Sequence, residues 1–241
     1  MQNKKEINAG ILIIGNEVLS GRTQDVNTST LAVWLNSLGI PVSEVRVVPD
    51  DESIIINTVN ELRKRYSYIF TTGGIGPTHD DITTDCVAEA FGTQVSVRSD
   101  AFKILKKYYD GKGIELNEAR LRMARIPEKA DLIENPISGA PGYVIENVYV
   151  MAGVPTIFQS MLKTVLPNLK KGSPTLSLSV KLYKGEGDIA MQLEQIVKAF
   201  SELNFGSYPF NENGNYGTNI VIRGKDKKLM MKAKEKVLTL A

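Results

Sequence analysis

The residues best suited to chemistry lie in one glycine-rich stretch, Thr71–Asp85. Its glycines, Gly73, Gly74 and Gly76, let the backbone approach a ligand closely and adopt positive φ. Backbone N–H groups at the start of a following helix would attract phosphate. The stretch has neither the Gly-Lys-Ser/Thr of a Walker loop nor the three-glycine dinucleotide fingerprint. We predict that these glycines and Thr78 bind a phosphate-containing substrate; an ordinary tight turn is the structural alternative.

Three carboxylates accompany the glycines. Asp80 and Asp81 lie where the helix should begin, and Asp85 follows Asp81 by one turn. A phosphate and a carboxylate in contact repel by about 4 kcal/mol at ~4 Å and an effective dielectric constant of ~20, and a bridging cation removes this repulsion. Mg²⁺ commonly takes one or two carboxylates together with substrate phosphates. We therefore predict that Asp81, with Asp80 or Asp85, holds Mg²⁺ or another divalent cation; helix capping and surface exposure are the alternatives.

A second polar cluster spans Gly15–Asn27, directly after the first apolar segment. In a parallel sheet this segment and the glycine-rich stretch emerge at the same edge, where ligands bind. Glu17 and Asp25 are predicted to complete the metal shell or to orient water, and Asn27 to contact the substrate. Capping of the next helix by these residues is the alternative.

The chain has a single histidine, His79, and a single cysteine, Cys86. This count excludes an internal disulfide, a cysteine-based metal cluster and a histidine-rich zinc site. His79 is a candidate acid for the leaving group, although an exposed loop residue is the simpler interpretation. Cys86 is predicted to be a buried helix residue rather than a nucleophile.

The elements that must position these residues follow from hydrophobic periodicity. The predicted elements of the first part are strand Ala9–Ile14, helix Asn27–Leu38, strand Val42–Val48, a helix capped by Ser53 and strand Tyr68–Thr72. Alternation of strands and helices is typical of a parallel sheet. The sequence therefore predicts a three-layer α/β/α domain with a mostly parallel sheet.

The rest of the chain is predicted to complete this domain and to form a smaller one. The predicted elements are helix Ile82–Phe91, strand Gln94–Val97, helix Asp100–Tyr109, hairpin strands Tyr143–Ile145 and Val148–Met151, helix Thr156–Leu166, strand Leu176–Tyr183, helix Ile189–Ser201, strands Phe205–Phe210 and Asn219–Arg223, and a helix from Lys227. Proline, glycine and serine cluster near Pro167–Pro174. We predict two domains, 1–170 and 171–241, the second a small α+β (βαββα) domain.

Composition sets the class of protein. Hydrophobic residues make up 42% of the 241 residues, and no apolar run approaches the roughly 18 residues of a membrane span. The 29 basic and 27 acidic residues give a net charge of only +2, which argues against nucleic acid or a membrane as the main partner. Without a secretory signal, a cytoplasmic location is expected.

Several motifs in this order resemble one known family. They are Gly15–Gly21, Asp25–Asn27, Thr72–Asp81, Ser138–Gly142, Ala152–Pro155 and Gly206–Phe210. Together they resemble the CinA family, the competence/damage-inducible A proteins of the molybdopterin-binding (MogA/MoaB-like) superfamily. One departure is Val26, which stands where threonine is usual.

The resemblance implies a MogA-like domain and, for CinA proteins, metal-dependent hydrolysis of the diphosphate of ADP-ribose; the similar domain of eukaryotic FAD synthases is associated with FAD hydrolysis. Asp81 matches the aspartate of the glycine loop in molybdopterin adenylyltransferases, and Asp85 stands where glutamate is common. The remaining predicted substrate contacts, which would form close walls around a nucleotide, are Ser138, Gly139, Pro141, Gly142 and Gly153.

The expected function is that of a magnesium-dependent nucleotide pyrophosphatase acting on a small-molecule, ADP-containing diphosphate of the ADP-ribose or FAD type. The resemblance also implies a homo-oligomer. Full-length CinA proteins continue into an amidase domain, for which 241 residues leave no room, so deamidation is not expected. Two alternatives stay open: a molybdopterin adenylyltransferase-like enzyme of molybdenum cofactor biosynthesis, and a non-catalytic molybdopterin- or nucleotide-binding module.

Overall fold

A computed structural model describes residues 7–241 of the chain. The first six residues of the predicted domain 1–170 lie outside the described residues. The chain divides into two compact units, and the division falls after Gly172. Within the described part of the chain, none of the helices combines the length and the apolar character that crossing a membrane requires.

The large unit is built on a six-stranded sheet of order β2-β1-β3-β8-β7-β6. Its strands are β1 (Ala9–Ile14), β2 (Val42–Val48), β3 (Tyr68–Thr72), β6 (Asp131–Ile133), β7 (Gly142–Ile145) and β8 (Val148–Met151); β4 (Val95–Val97) and β5 (Arg125–Pro127) form a separate antiparallel pair. The four neighbouring strands β2, β1, β3 and β8 pair in parallel, whereas β7 pairs antiparallel with β8 and β6 pairs antiparallel with β7. The mostly parallel α/β fold is thus confirmed.

Helices cover both faces of this sheet. They are α1 (Asn16–Leu19), α2 (Asn27–Ser37), α3 (Glu52–Arg65), α4 (Thr83–Ala90), α5 (Ser99–Gly111), α6 (Glu118–Leu121) and α7 (Pro155–Val165). Successive side chains of a strand point to opposite faces. Accordingly, Leu12 and Ile14 of β1 pack in the core shared with α3, α4 and α5, while Ile11 and Ile13 pack in the core shared with α2 and α7. This burial on both faces explains why β1 reads as an uninterrupted apolar run.

Local details differ from the sequence-based expectations. The cap of α3 is Asp51, not Ser53: the Asp51 carboxylate accepts the Ile54 N–H at 3.0 Å and the Ser53 hydroxyl at 2.8 Å. A carboxylate is the stronger acceptor for unpaired N–H groups at a helix start. The elements α1, α6, β5 and β6 were not expected, because three or four residues are too few to show a period.

The small unit has the predicted βαββα order. Its elements are β9 (Leu176–Leu182), α8 (Glu186–Ala199), β10 (Asn204–Glu212), β11 (Asn215–Gly224) and α9 (Lys227–Leu238). The strands form an antiparallel sheet of order β10-β11-β9, which packs against both helices around one apolar core. The hairpin β10–β11 turns through Asn213 and Gly214, both with positive φ (53° and 85°), as a two-residue primed turn requires.

Candidate functional site

Some of the predicted site residues, Asn27 and Gly153 among them, meet at the edge of the sheet where β1, β3 and β8 end. Asn27, only 5% exposed, donates its amide to the Thr72 hydroxyl at 2.9 Å and to the Gly153 carbonyl at 2.8 Å. One side chain thereby joins three segments that are distant in sequence. The Asn27 Oδ1 atom is buried and makes no hydrogen bond within residues 7–241.

A cleft at this edge is lined by Glu17, Asp25, Asn27, Gly73 and Gly153. The Asp25 carboxylate accepts the N–H groups of Asn27 and Thr28, at 3.0 and 3.3 Å, and so fixes the start of α2. Glu17 is exposed on α1. The cleft therefore contains both carboxylates that were predicted to orient water, and one of them also has a capping role.

The glycine-rich turn is tied closely to β1. Gly73 and Gly74 adopt φ of 107° and 67°, and a Cβ atom on Gly73 would lie 2.1 Å from the Ile14 carbonyl oxygen. Only glycine fits this close approach. Within the described chain, the N–H groups of Gly74 and Ile75 donate to no protein acceptor. Two consecutive free N–H groups beside left-handed glycines are suited to bind an anion.

Asp81 organises the rest of this turn. One oxygen of its carboxylate accepts the Gly76 N–H at 2.7 Å, and the other accepts both the N–H and the hydroxyl of Thr78, at 2.8 and 2.6 Å. The side chain is partly buried. Asp81 therefore folds back over the glycines instead of extending into solvent.

The carboxylates of Asp80 and Asp81 both contact the Thr78 hydroxyl. The Asp80 carboxylate oxygen is 2.5 Å from the Thr78 Oγ1 atom, and this hydrogen bond lowers the pKa of Asp80. A hydroxyl has one hydrogen, so it cannot donate to both carboxylates at once. The Thr78 hydroxyl therefore donates to one of the two carboxylates at a time.

Asp85 has a different partner. Its two carboxylate oxygens accept hydrogen bonds from the two terminal nitrogens of Arg125, at 2.6 and 3.0 Å. Within residues 7–241, no group of three or more His, Cys, Asp or Glu side chains is placed to hold a metal ion. The structure thus does not bring Asp81, Asp85 and Glu17 into one cluster. The carboxylate that shares a contact with Asp81, through the Thr78 hydroxyl, is that of Asp80.

The Ser138–Gly142 loop is organised by a residue that the sequence analysis did not select. The Asn135 amide donates to the Ser138 hydroxyl and to the Ala140 carbonyl, at 2.5 and 2.8 Å, and its oxygen accepts two loop N–H groups. Gly139 has φ of 71° and packs against Tyr108. This bonding fixes the predicted substrate wall of Ser138, Gly139, Pro141 and Gly142.

The two unique residues have contrasting environments. The His79 side chain is 99% exposed, with its Nδ1 atom 3.9 Å from Asp80. Cys86 is 1% exposed, as predicted, and burial raises the pKa of its thiol to about 12. A thiol with that pKa is almost entirely protonated at neutral pH, so Cys86 is not an activated nucleophile.

Residues on both sides of the turn were not predicted from the sequence. The Asp50 carboxylate, which follows β2, accepts the Asn16 N–H at 2.9 Å. Asp50 could have been predicted, because the carboxyl ends of parallel strands lie at one edge of the sheet. On the other side lies a polar pocket, here called the arginine pocket, bordered by Gly76, Asp81, Arg122, Arg125 and Tyr143. Both arginines belong to a segment with no recognisable period, so no sequence signal indicated them.

Comparison with known proteins identifies the family. The family described as "Probable molybdopterin binding domain" matches residues 10–171, and the middle domain of FAD synthase matches residues 174–241. A relative from Archaeoglobus fulgidus is 31% identical over 224 residues, which cover 92% of this chain and 93% of the relative. A relative from Pyrobaculum arsenaticum is 33% identical over 210 residues, which cover 83% of this chain and 79% of the relative.

Among solved structures, the CinA protein of Thermoplasma acidophilum matches with a TM-score of 0.62 and 32% identity, over 68% of this chain and 98% of that protein. The molybdopterin-binding family match, over residues 10–171, coincides with the large unit. The chain belongs to the molybdopterin-binding domain family and is a CinA-like member of it.

Proposed function

We propose that the chain is a metal-dependent nucleotide pyrophosphatase that hydrolyses an ADP-containing diphosphate such as ADP-ribose or FAD. The observation that carries this proposal is the composition of one turn. It offers free backbone donors, from Gly74 and Ile75, next to a pair of carboxylates, from Asp80 and Asp81. A diphosphate would accept from the N–H groups, and a divalent cation would bind the carboxylates. The cation also removes the repulsion between the carboxylates and the diphosphate.

In this proposal the chain's own groups bind and orient the substrate. The N–H groups of Gly74 and Ile75 hold phosphate oxygens, and Asn27 lines the adjacent cleft for the nucleotide. Thr78 keeps Asp80 and Asp81 together, where Mg²⁺ or another divalent cation would be held. A bound cation would polarise the diphosphate and lower the pKa of its bound water. Glu17 and Asp25 orient the attacking water from the cleft on the other side.

The similarity of the small unit to the middle domain of FAD synthase supports a nucleotide substrate. The similarity of residues 10–171 to molybdopterin-binding domains favours a second candidate, an adenylyltransferase-like enzyme that transfers AMP to a pterin. The two differ in the AMP acceptor, which is water in the first and the pterin in the second. AMP released from ADP-ribose in the absence of any pterin supports the first.

The decisive experiment incubates the protein with Mg²⁺ and ADP-ribose, FAD, NAD or ATP in turn and measures AMP. We expect AMP from at least one diphosphate and a rate at least 100-fold lower for Asp81→Asn, since the variant loses one of the two negative charges around the cation. Asp80→Asn separates chemistry from folding, because the Asp80 carboxylate contacts the Thr78 hydroxyl and the exposed His79 side chain, and its neutralisation should leave the turn intact. Its rate should also fall strongly.

The matched control is Asp110→Asn, which removes an equally charged surface carboxylate that pairs with Lys106. Its rate should equal that of the native protein. Unchanged AMP release by both Asp80→Asn and Asp81→Asn would contradict the proposal. Thermal stabilisation by ADP-ribose without any cleavage would instead identify a non-catalytic binding module.

A further inference from the structure

The two edges of the six-stranded sheet differ in what they offer to a further strand. β6, at one edge, has three residues, whereas β2, at the other edge, has seven. A very short edge strand gives little to pair with, but a long one is a template for another chain. β2 contains neither proline nor lysine, and its register with β1 is regular over residues 44–48. The edge of the large unit that is open to pairing is therefore β2.

The backbone groups of β2 alternate between its neighbour and the open edge. The Gly15 N–H donates to the Val48 carbonyl at 3.1 Å, so Val48 directs its backbone groups towards β1. By the two-residue period of a strand, Arg46 does the same, whereas Val45 and Val47 direct their N–H and carbonyl groups outwards. Within residues 7–241, no strand pairs with this outer side of β2.

The side chains of the two outward-directed residues are exposed as well. Val45 is 43% exposed and Val47 is 39% exposed. They lie two residues apart and hence on the same face of the strand. A neighbouring strand would bond to the backbone of these valines and cover part of their side chains.

The other face of β2 carries charges of both signs. The side chains of Glu44 and Arg46 form an ion pair. Glu44 also pairs with Arg65 at 3.1 Å, and both terminal nitrogens of Arg46 bind Glu61 at 2.6 Å. Charged residues on an edge strand commonly keep two copies apart, because like charges would meet. These two arginines and two glutamates are neutral as a group, so like charges meet only in some registers.

The order Glu44-Val45-Arg46 is complementary to itself in an antiparallel pair. About a two-fold axis at Val45, the two Val45 residues would exchange both of their N–H···O bonds. Glu44 of each copy would then lie opposite Arg46 of the other, in a non-hydrogen-bonded pair, where side chains are closest. An axis at Arg46 would instead place the two Arg46 side chains opposite each other, which is unfavourable. The charges thus favour the register centred on Val45.

We infer that β2 pairs antiparallel with β2 of a second copy of this chain, about a two-fold axis at Val45. The pairing joins the two six-stranded sheets into one continuous sheet. A strand from another protein could satisfy the same backbone groups, but only a second copy necessarily presents the matching charge order. The inference concerns assembly and does not depend on the proposed function.

The test measures the association of the full chain by sedimentation velocity over a range of concentrations. We expect a monomer–dimer equilibrium for the native chain. Val45→Lys should weaken the dimer at least 10-fold, because two lysines would lie directly opposite each other at the axis. The matched control is Ile104→Lys on α5, where the native side chain is 42% exposed and is not part of β2. Its dimer should be as strong as the native one.

Mixing two variants tests the register itself. Val45→Glu should weaken the dimer as Val45→Lys does, since like charges again meet at the axis. An equimolar mixture of Val45→Lys and Val45→Glu, one of them carrying a fluorescent label, should form a heterodimer at concentrations where each variant alone is monomeric. Thermal unfolding of each variant shows that it is folded, which is expected because residue 45 is exposed.

Three results would overturn the inference. A native chain that stays monomeric at all concentrations would leave the edge protected by its charges or free for a strand of another protein. A Val45→Lys dimer as strong as the native one would show that the copies associate through a different surface. Failure of the mixed variants to form a heterodimer, with both folded, would rule out a two-fold axis at Val45.

Discussion

The two units differ in how completely they use their buried polar groups. Seven buried side-chain atoms in the described chain make no hydrogen bond, and six of them lie in the large unit. They belong to Asn27, Thr28, Thr71, Thr83, Arg122 and Tyr143. In the described part of the small unit, Asn219 is the one residue with such an atom. The neighbouring buried Thr218 hydroxyl donates to the Lys184 carbonyl at 2.9 Å.

The location of the unpaired atoms distinguishes the two units. Native proteins pair almost all of their buried polar groups, so each unpaired one calls for an ordered water, a ligand or a small rearrangement. Four of the large unit's unpaired atoms border the cleft, the glycine turn or the arginine pocket: those of Asn27, Thr83, Arg122 and Tyr143. The small unit, by contrast, is organised like an ordinary apolar core.

The largest expected effect compares two glycines with positive φ. Gly73→Ala would place a methyl group 2.1 Å from the Ile14 carbonyl oxygen, so we expect a loss of roughly 2 to 5 kcal/mol in the free energy of unfolding and no turnover. Gly214→Ala has the same kind of φ but no atom within 4 Å, and should cost about 1 kcal/mol. Urea unfolding measures both, and equal losses would contradict the steric account.

A smaller effect compares two buried threonines, both 0% exposed. Thr218→Val loses the hydrogen bond to Lys184 and leaves that carbonyl without its partner, which should cost about 1 kcal/mol. Thr83→Val loses a hydroxyl that has no partner in the described chain, so the free energy of unfolding should hardly change. If the two variants lose equal stability in urea unfolding, the contrast between the units is wrong.

The smallest effects concern titration. The Thr78 hydroxyl lowers the pKa of Asp80, so Thr78→Val should raise that pKa towards its ordinary value. The native bond stabilises the fold above the unfolded-state pKa, and this contribution is lost as pH falls through the folded-state pKa. Carboxyl carbon NMR titration of Asp80 measures the shift, and an unchanged pKa would show that the hydroxyl does not act on Asp80.

The small unit should respond at the opposite end of the pH scale. A hydrogen bond from Lys181 to Glu212 raises the pKa of Lys181, so its contribution is present below the unfolded-state pKa and is lost as pH rises through the folded-state pKa. Glu212→Gln should therefore lower the pKa of Lys181 and leave that of Asp80 unchanged. A shift of Asp80 in this variant would contradict the independence of the two titrations.

Much of the fold follows from local sequence. The run Ala9–Ile14 and the alternation of strands and helices were sufficient to predict the parallel sheet, because burial on both faces leaves a continuous apolar signature. The order of the small unit followed from the same reasoning. Three- and four-residue elements such as β5 escaped prediction, since they contain less than one full period.

The site was predicted only in part, for a physical reason. Residues next to glycines, such as Asp81, could be found because turn chemistry is local. The pairing of Asp85 with Arg125 depends on residues 40 positions apart, and a carboxylate in a motif does not reveal which cation faces it. Arg122 and Tyr143 likewise border one pocket through three-dimensional proximity alone.

The contacts of Asn27 have a consequence for folding during synthesis. Its amide joins residues that lie 45 and 126 positions further along the chain. A nascent chain that has not yet emerged as far as Gly153 lacks one of these acceptors, so this edge of the sheet cannot be complete. Under the proposed function, nucleotide affinity measured on stalled chains of increasing length should thus report the chain length at which β8 joins the sheet.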